Sequence, residues 1–249
     1  MDAKRLVERL GPLPIAEACE LVKQAAAGLA YLHQQGQVHR DVKPSNLMLT
    51  DAGQVKILDL GLALLATQQE DELTGSDRVV GTLQYLAPEQ AEDAHRVDHR
   101  ADIYALGCTL YQLLTGQPPY AGRPLVQVLL AHRQAPVPSL RKLRPELPTA
   151  LDAVFQKMVA KRPEERQQSM AEVIADMGAV LDRLGPPTGS TSRGSGGPAA
   201  GQASLRNLLS PQAAGDGRLA ATRPHVRPAA EMLPAGPLER KAVAGYLPK

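Results

Sequence analysis

Two carboxylates, an amine and an amide lie in one polar stretch of the chain, at Asp41, Lys43, Asn46 and Asp59. Carboxylate and amide oxygens are the ligands that Mg²⁺ prefers. Transfer of a phosphate group needs an oriented nucleophile, metal ions and positive charge near the transferred group. Asp and Asn also favour turns, so each of these residues alone would be an ordinary turn residue. The set as a whole is suited to phosphoryl transfer.

Three short motifs contain or follow these residues: His39 to Asn46, then Asp59-Leu60-Gly61, then Ala87-Pro88-Glu89. Apolar segments on either side of Asp51-Ala52-Gly53 predict two short strands between the first two motifs. A polar, aperiodic stretch predicts a loop between the last two. Each motif alone is weak evidence, but their order and spacing match the signature of protein kinases.

The rest of the first 184 residues is mainly helical in pattern. Apolar residues from Ala18 to Leu32 recur at helical spacing, and Gly36 ends that helix. Four further helices are predicted at residues 101–115, 124–132, 149–160 and 169–184. One hairpin among many helices predicts an α+β fold that is mainly helical.

Residues 1–184 resemble the eukaryotic-like (Hanks-type) serine/threonine kinases of bacteria. The resemblance includes Gly81 to Leu86, Asp102 to Gly107 and Arg166. It implies a protein-kinase-like fold, represented here by the large, C-terminal lobe. It also implies ATP and Mg²⁺ as cofactors and transfer of the ATP γ-phosphate to serine or threonine hydroxyls of protein substrates.

The resemblance assigns a role to each candidate site residue. Asp41 would accept or orient the proton of the substrate hydroxyl, and Lys43 would reach the γ-phosphate. A lysine at that position resembles the serine/threonine branch of the family. Asn46 and Asp59 would hold Mg²⁺. Met48 would pack under the adenine ring, and the alternative is a plain core methionine.

Other residues have supporting roles by the same resemblance. Asp102 would cap the backbone around the first motif, and Glu89 and Arg166 would form a buried ion pair. Thr82 would contact the first motif and shape the substrate channel. Leu60 stands where the family more often has Phe, and either residue can pack inward.

The stretch from Gly61 to Gly81 corresponds to the activation segment and contains three hydroxyl side chains, Thr67, Thr74 and Ser76. A phosphate on Thr74 or Ser76 could pair with Arg40 and order the segment. The alternative is that these are ordinary solvated loop hydroxyls.

The small lobe of a kinase is not recognisable in the sequence. The 38 residues before His39 contain neither a GxGxxG loop nor a Val-Ala-x-Lys strand, and their only lysines, Lys4 and Lys23, fall in helical segments. We therefore expect a kinase whose N-terminal lobe is missing, through a shortened gene or a misplaced start, and whose activity is weak or absent. The alternative is a catalytically dead lobe that acts as a binding or scaffold module.

An isolated large lobe would expose the apolar surface around Met48 and Leu60, and association through that surface is expected. The net charge of +2 gives no case for nucleic acid binding, and no stretch approaches the length of a membrane-spanning helix. A cytoplasmic location is therefore expected. Cys19 and Cys108 lie in apolar helical segments and are predicted to be buried thiols.

The composition changes at Gly185. Residues 185–249 are rich in Gly, Pro, Ala and Ser, and we expect a disordered tail that is dispensable for folding of residues 1–184. Leu205, Leu208 and Leu209 could form one short amphipathic turn. The surplus of arginine also allows a weak electrostatic partner, and a solvated tail is the alternative.

Overall fold

The computed structural model describes residues 1–59, 81–92, 97–185, 198–210 and 213. Nine α-helices and one antiparallel hairpin are found in these ranges, so the prediction of a mainly helical α+β fold is confirmed. The helices are α1 (Ala3–Leu10), α2 (Ile15–Gln34), α3 (Pro88–Glu92), α4 (Arg100–Thr115), α5 (Leu125–Gln134), α6 (Leu140–Leu143), α7 (Thr149–Met158), α8 (Met170–Leu184) and α9 (Pro198–Asn207). The strands are β1 (Leu47–Leu49) and β2 (Val55–Ile57).

The core is built around α4, in which every side chain from Ala101 to Thr115 is buried. A helix that is apolar all round must be enclosed by other elements. Here α1, α2, α6 and α7 all contact α4, and α8 packs along α2. Gly116 ends α4 with φ +86°, and its N–H donates to the carbonyl of Gln112, as a C-terminal glycine does.

The hairpin is fixed to α2. Leu47 pairs with Ile57 across the two strands. The side chains of Leu47 and Leu49 are buried. The Gln24 side chain on α2 accepts a hydrogen bond from the Val55 N–H at 3.0 Å. At Gly28, a Cβ would lie 2.9 Å from Ile57 Cδ1, so the missing side chain allows the strand to lie close to the helix.

The last described segment differs from the expected disordered tail. Residues 198–207 form α9, which packs on α2, with Leu205 fully buried and Leu208 nearly so. Composition alone predicted disorder for this segment. It did not take account of Leu205 and Leu208, which lie one turn apart and are buried against α2, an element distant in sequence. Residues 186–197, 211–212 and 214–249 lie outside the described residues, and the boundary at residue 184 stays a prediction.

Both cysteines are buried, as predicted: Cys19 on α2 and Cys108 on α4. Burial raises the pKa of each thiol to about 12. Among the described residues, no group of three or more His, Cys, Asp or Glu side chains could hold a metal ion. Within those same residues, no helix combines the length and apolarity needed to cross a bilayer.

Candidate active site

Three predicted site residues meet in the loop that joins α2 to β1, residues 39–46, here called the catalytic loop. Lys43 Nζ donates to Asp41 Oδ2 at 2.8 Å. Asn46 Nδ2 donates to the same oxygen at 3.1 Å and to the Asp41 carbonyl at 2.8 Å. A 3₁₀ turn, Pro44–Asn46, brings Asn46 back towards Asp41.

This pattern leaves oxygens of Asp41 and Asn46 directed elsewhere. Both side-chain bonds to Asp41 go to Oδ2, and Oδ1 accepts none from the part of the chain that is described. The amide nitrogen of Asn46 is used towards Asp41, and among the described residues its Oδ1 has one long, 3.5 Å contact, with Ser45 Oγ. With respect to these described residues, one carboxylate oxygen and one amide oxygen are therefore available to ligands.

Lys43 also connects the catalytic loop to the segment at residues 81–87. Its ammonium donates to Thr82 Oγ1 at 2.7 Å, which confirms the predicted contact of Thr82 with the loop. The Lys43 side chain is nearly buried. The Asp41 carboxylate and the Thr82 hydroxyl compensate its buried charge.

Asp102, in the first turn of α4, caps the catalytic loop as predicted. Its carboxylate is fully buried and accepts hydrogen bonds from the backbone N–H groups of His39, at 2.9 Å, and Arg40, at 2.8 Å. A third bond, at 2.8 Å, comes from His33 Nε2 at the end of α2. The buried charge is thus met by three donors, which a carboxylate in the interior requires.

The backbone of the loop is held in a costly conformation at Arg40, which has φ +65°. A side chain other than glycine at positive φ persists only where its surroundings enforce it. Asp102 bonds the N–H of Arg40, and the Gln90 amide donates to its carbonyl at 3.1 Å. Both peptide groups of Arg40 are therefore fixed, and Asp41 follows in a defined direction.

His39 joins the catalytic loop to the end of β2. Its Nε2 bonds the Leu58 carbonyl at 3.0 Å, and its Nδ1 accepts from the Asp41 N–H at 3.3 Å. These two bonds are compatible with a neutral ring protonated on Nε2. The Leu58 N–H also donates to the Asn46 carbonyl at 2.8 Å. The catalytic loop therefore fixes Leu58. Asp59, the next residue, is exposed and has φ +53°.

Met48 lies on the face of the hairpin opposite its buried neighbours Leu47 and Leu49 and is half-buried. Its backbone forms an isolated antiparallel bridge with Asp2. Met48 is therefore not a wholly buried core methionine. The proposed contact with adenine stays a prediction.

The predicted ion pair of Glu89 and Arg166 is confirmed. The guanidinium donates to both carboxylate oxygens, at 2.6 and 2.7 Å, and Arg166 is 1% exposed. Its remaining donors reach the carbonyls of Ala160, Arg100 and Lys161. The pair connects α3, which directly follows residues 81–87, to the helical core.

A shallow depression lies beside Asp41. It is lined by Arg40, Asp41, Val42, Thr82, Tyr85, Leu86 and Ala105. Within this lining, the Tyr85 hydroxyl donates to the Gln112 side chain on α4. The depression is too shallow to enclose even a water molecule.

Sequence reasoning missed three supporting residues: His33, Gln90 and Gln24. Each acts on backbone or carboxylate groups far away in sequence, and no local pattern marks such contacts. The residues predicted for regulation, Thr67, Thr74 and Ser76, and the variant position Leu60 lie outside the described residues, as does most of the activation segment.

Comparison with known proteins agrees with this geometry. The protein kinase domain family matches residues 1–176. The chain is 41% identical over 182 residues to serine/threonine-protein kinase PknB of Mycolicibacterium smegmatis, covering 73% of this chain and 29% of that protein. PknB of Mycobacterium leprae is 43% identical over 173 residues, with coverages of 69% and 27%. PknE of Mycobacterium tuberculosis is 39% identical over 181 residues, with coverages of 73% and 31%.

The chain thus spans less than a third of the length of each of these relatives. The family match covers the catalytic loop, the hairpin, the Glu89–Arg166 pair and all of the core helix α4. The chain belongs to the protein kinase domain family and is similar to bacterial serine/threonine kinases.

Proposed function

We propose that the protein containing this lobe transfers the γ-phosphate of ATP to serine or threonine hydroxyls of protein substrates. The observation that carries the proposal is the bonding of Asp41 to Lys43 and Asn46 through Oδ2, with no described residue donating to Asp41 Oδ1, beside a shallow depression. Relatives of this chain carry the name serine/threonine-protein kinase, which supports the same chemistry.

Each residue has a separate task in this reaction. Asp41 Oδ1 accepts and orients the hydroxyl proton of the substrate, and an aligned hydroxyl oxygen attacks phosphorus more readily. Lys43 holds Asp41 and offers positive charge to the transferred group, where negative charge develops. The Lys43 ammonium also donates to Thr82 Oγ1. The segment around Thr82, which would shape the substrate channel, is therefore linked to the positive charge of Lys43.

The residues present fit ATP with Mg²⁺. Asn46 Oδ1 is directed away from Asp41, and the Asp59 carboxylate is exposed at the end of β2, so both could supply the hard oxygen ligands that Mg²⁺ favours. The bound metal would offset charge on the phosphate oxygens. Met48, half-buried on the outer face of the hairpin, would contact the adenine ring.

The polypeptide of these 249 residues alone is expected to transfer phosphate negligibly. Its sequence contains no glycine-rich phosphate loop and no strand lysine for the α- and β-phosphates. Radiolabelled transfer from ATP to a basic protein substrate measures this. Robust transfer by this polypeptide, abolished by Asp41→Asn, would show that less machinery suffices.

The catalytic assignment is tested in a longer polypeptide that joins this lobe to a glycine-rich loop and strand lysine. There Asp41→Asn should lower the turnover rate by about a hundredfold or more, as loss of a general base does. Asp51→Asn, at the exposed hairpin turn, is the matched control and should leave the rate unchanged. An Asp41→Asn enzyme with full activity would contradict the proposal.

Association through the outer face of the hairpin and a cytoplasmic location remain part of the proposal. Leu58, beside Asp59, is 36% exposed and Met48 is half-buried, so apolar surface is present there. Light scattering of the 249-residue chain should detect association, and Leu58→Lys should reduce it. A monomer at all concentrations, with no binding of a hydrophobic dye, would contradict this expectation.

A further inference from the structure

Helix α9 packs on a surface formed by α1, α2 and the hairpin turn, here called the docking surface. Leu205 and Leu208 are the buried anchors. Two glycines allow the close approach. A Cβ on Gly201 would lie 2.5 Å from Glu20 Oε1, and a Cβ on Gly53 would lie 1.9 Å from the Gln202 carbonyl oxygen. The contact is therefore close-packed at backbone level.

The charges of the docking surface are arranged along the axis of α9. Glu20, paired with Lys23 at 2.7 Å, lies against the first turn of the helix at Gly201. At the other end, the guanidinium of Arg9 donates to the carbonyl of Leu208. A carboxylate at the N-terminal end of a helix and a cation at its C-terminal end both complement the helix dipole.

Ser204 lies between these ends and faces an acidic residue. Its hydroxyl donates to Glu17 Oε1 at 2.6 Å, and Glu17 precedes Glu20 by one helical turn on α2. The hydroxyl acts as donor to a carboxylate, so this position of α9 accommodates a hydrogen-bond donor and disfavours negative charge.

We propose that the docking of α9 is sensitive to charge at Ser204 and that a phosphate on this hydroxyl releases α9 from the docking surface. Phosphorylation replaces the O–H bond with an O–P bond, so the donor to Glu17 is lost. It also brings up to two negative charges next to Glu17 and within a turn of Glu20. Repulsion between these groups opposes docking, and the phosphate is accommodated once α9 has left the surface.

The modifying reaction needs ATP and a serine-directed protein kinase. Ser204 Oγ attacks the γ-phosphorus, the bond to the β,γ-bridging oxygen breaks, and ADP leaves with the electron pair. The hydroxyl proton passes to the base of the modifying kinase. Ser204 is half-buried when docked, so the undocked segment is the substrate; a ten-residue helix is marginal in water on its own. The proposal holds whichever kinase supplies the phosphate.

Release of α9 would reach the candidate active site through the hairpin. Gln202 lies on Gly53 at the hairpin turn, and the Gln24 side chain bonds both the Gly53 carbonyl, at 3.5 Å, and the Val55 N–H. The hairpin leads to Asp59. Loss of α9 therefore removes a contact that supports the hairpin, which directly precedes Asp59.

The test uses the full 249-residue chain with phosphoserine installed at position 204 during synthesis. Amide hydrogen exchange is measured by mass spectrometry over residues 201–210 and over the hairpin. Exchange in α9 should be about fivefold faster, because the helix loses the docked state that protects it and its docking is only weakly favourable. Exchange in α4 should be unchanged, which shows that the lobe stays folded.

Phosphoserine at Ser210 is the matched control, because that hydroxyl donates to the Asn207 carbonyl of its own segment and does not face Glu17. It adds the same charge and should leave α9 protected. Combining phosphoserine 204 with Glu17→Gln should restore part of the protection. Unchanged or slower exchange with phosphoserine 204, equal loss with phosphoserine 210, or an unprotected α9 in the unmodified chain would each overturn the proposal.

Discussion

At the scale of single residues, the candidate site depends on buried polar groups that satisfy one another. Asp102 illustrates this, because one carboxylate accepts from two backbone N–H groups and one imidazole. The residues that we propose for catalysis, Asp41 and Lys43, are positioned by that arrangement and by the strained Arg40. Changes to the supporting residues should therefore alter stability as well as activity.

Asp102→Asn should destabilise the lobe by roughly 2–4 kcal/mol, because an amide cannot accept from all three donors and places its own NH₂ against one of them. Urea unfolding followed by circular dichroism measures the change. Asp98→Asn is the control, since its pair with Arg100 is partly exposed and should contribute less than about 1 kcal/mol. Equal effects of the two substitutions would contradict the buried-cap assignment.

His132 should make stability depend on pH. Burial, and then the nearby Lys161 charge, lower its pKa from 6.5 to about 4. Because the folded-state pKa is lowered, the unfolded chain takes up this proton first as pH falls. Stability is therefore present above pH 6.5 and lost between about pH 6.5 and 4, by about 2–3 kcal/mol.

The measurement is the free energy of unfolding at pH 7 and at pH 4.5, for the unchanged chain and for His132→Gln. Carboxylates titrate in both proteins, so the difference between them isolates the histidine. Tyr104, which bonds His132 Nδ1 at 2.8 Å, is present in both. An identical pH dependence would show that His132 is protonated as readily in the folded state as in the unfolded chain.

At the scale of elements, the site is assembled where α2, α4 and the hairpin meet. The catalytic loop leaves α2, is capped by the first turn of α4 and enters β1. Small residues allow the close packing of α4. At Gly107, a Cβ would lie 2.6 Å from Val159 Cγ1 and 2.9 Å from Met158 Cβ.

Gly107→Ala should therefore destabilise the lobe by about 1–3 kcal/mol through overpacking, despite the better helix propensity of alanine. The matched control is Gly178 on α8, where a Cβ would meet nothing within 4 Å. Gly178→Ala should stabilise by roughly 0.5–1 kcal/mol. Thermal and urea unfolding of both variants provide the test, and a neutral Gly107→Ala would mean that α7 moves away at little cost.

At the scale of the whole molecule, most of the apolar core comes from residues 3–180, and Leu205 and Leu208 extend it where α9 packs on α2. Burial of Leu205 and Leu208 contributes about 3–6 kcal/mol. Ordering ten backbone residues costs at least as much, offset by the hydrogen bonds of the helix. The net contribution of α9 should therefore be small.

A chain that ends at Leu184 should fold, and its unfolding midpoint should be about 2–4 °C lower than that of the full chain, corresponding to about 1 kcal/mol. A chain that ends at Ala213 should match the full chain. Differential scanning calorimetry compares the three. A collapse of folding on removal of residues 185–249 would move the domain boundary beyond Leu184, and equal midpoints would mean that α9 adds no net stability.

The sequence by itself determined the family and the mainly helical fold with one hairpin, because motif spacing and hydrophobic periodicity are local properties of a chain. It did not predict the short helices α3 and α6. The set Asp41, Lys43, Asn46 and Asp59 stays a prediction, of which the structure brings the first three together. The predicted pairs of Asp102 with the loop and of Glu89 with Arg166 came from the resemblance, and the structure has both. Only the tertiary structure decided that His33 completes the cap, that Gln90 fixes Arg40 and that α9 is helical on α2. These contacts join residues far apart in sequence, and burial, which drives them, depends on the surface that the partner element presents.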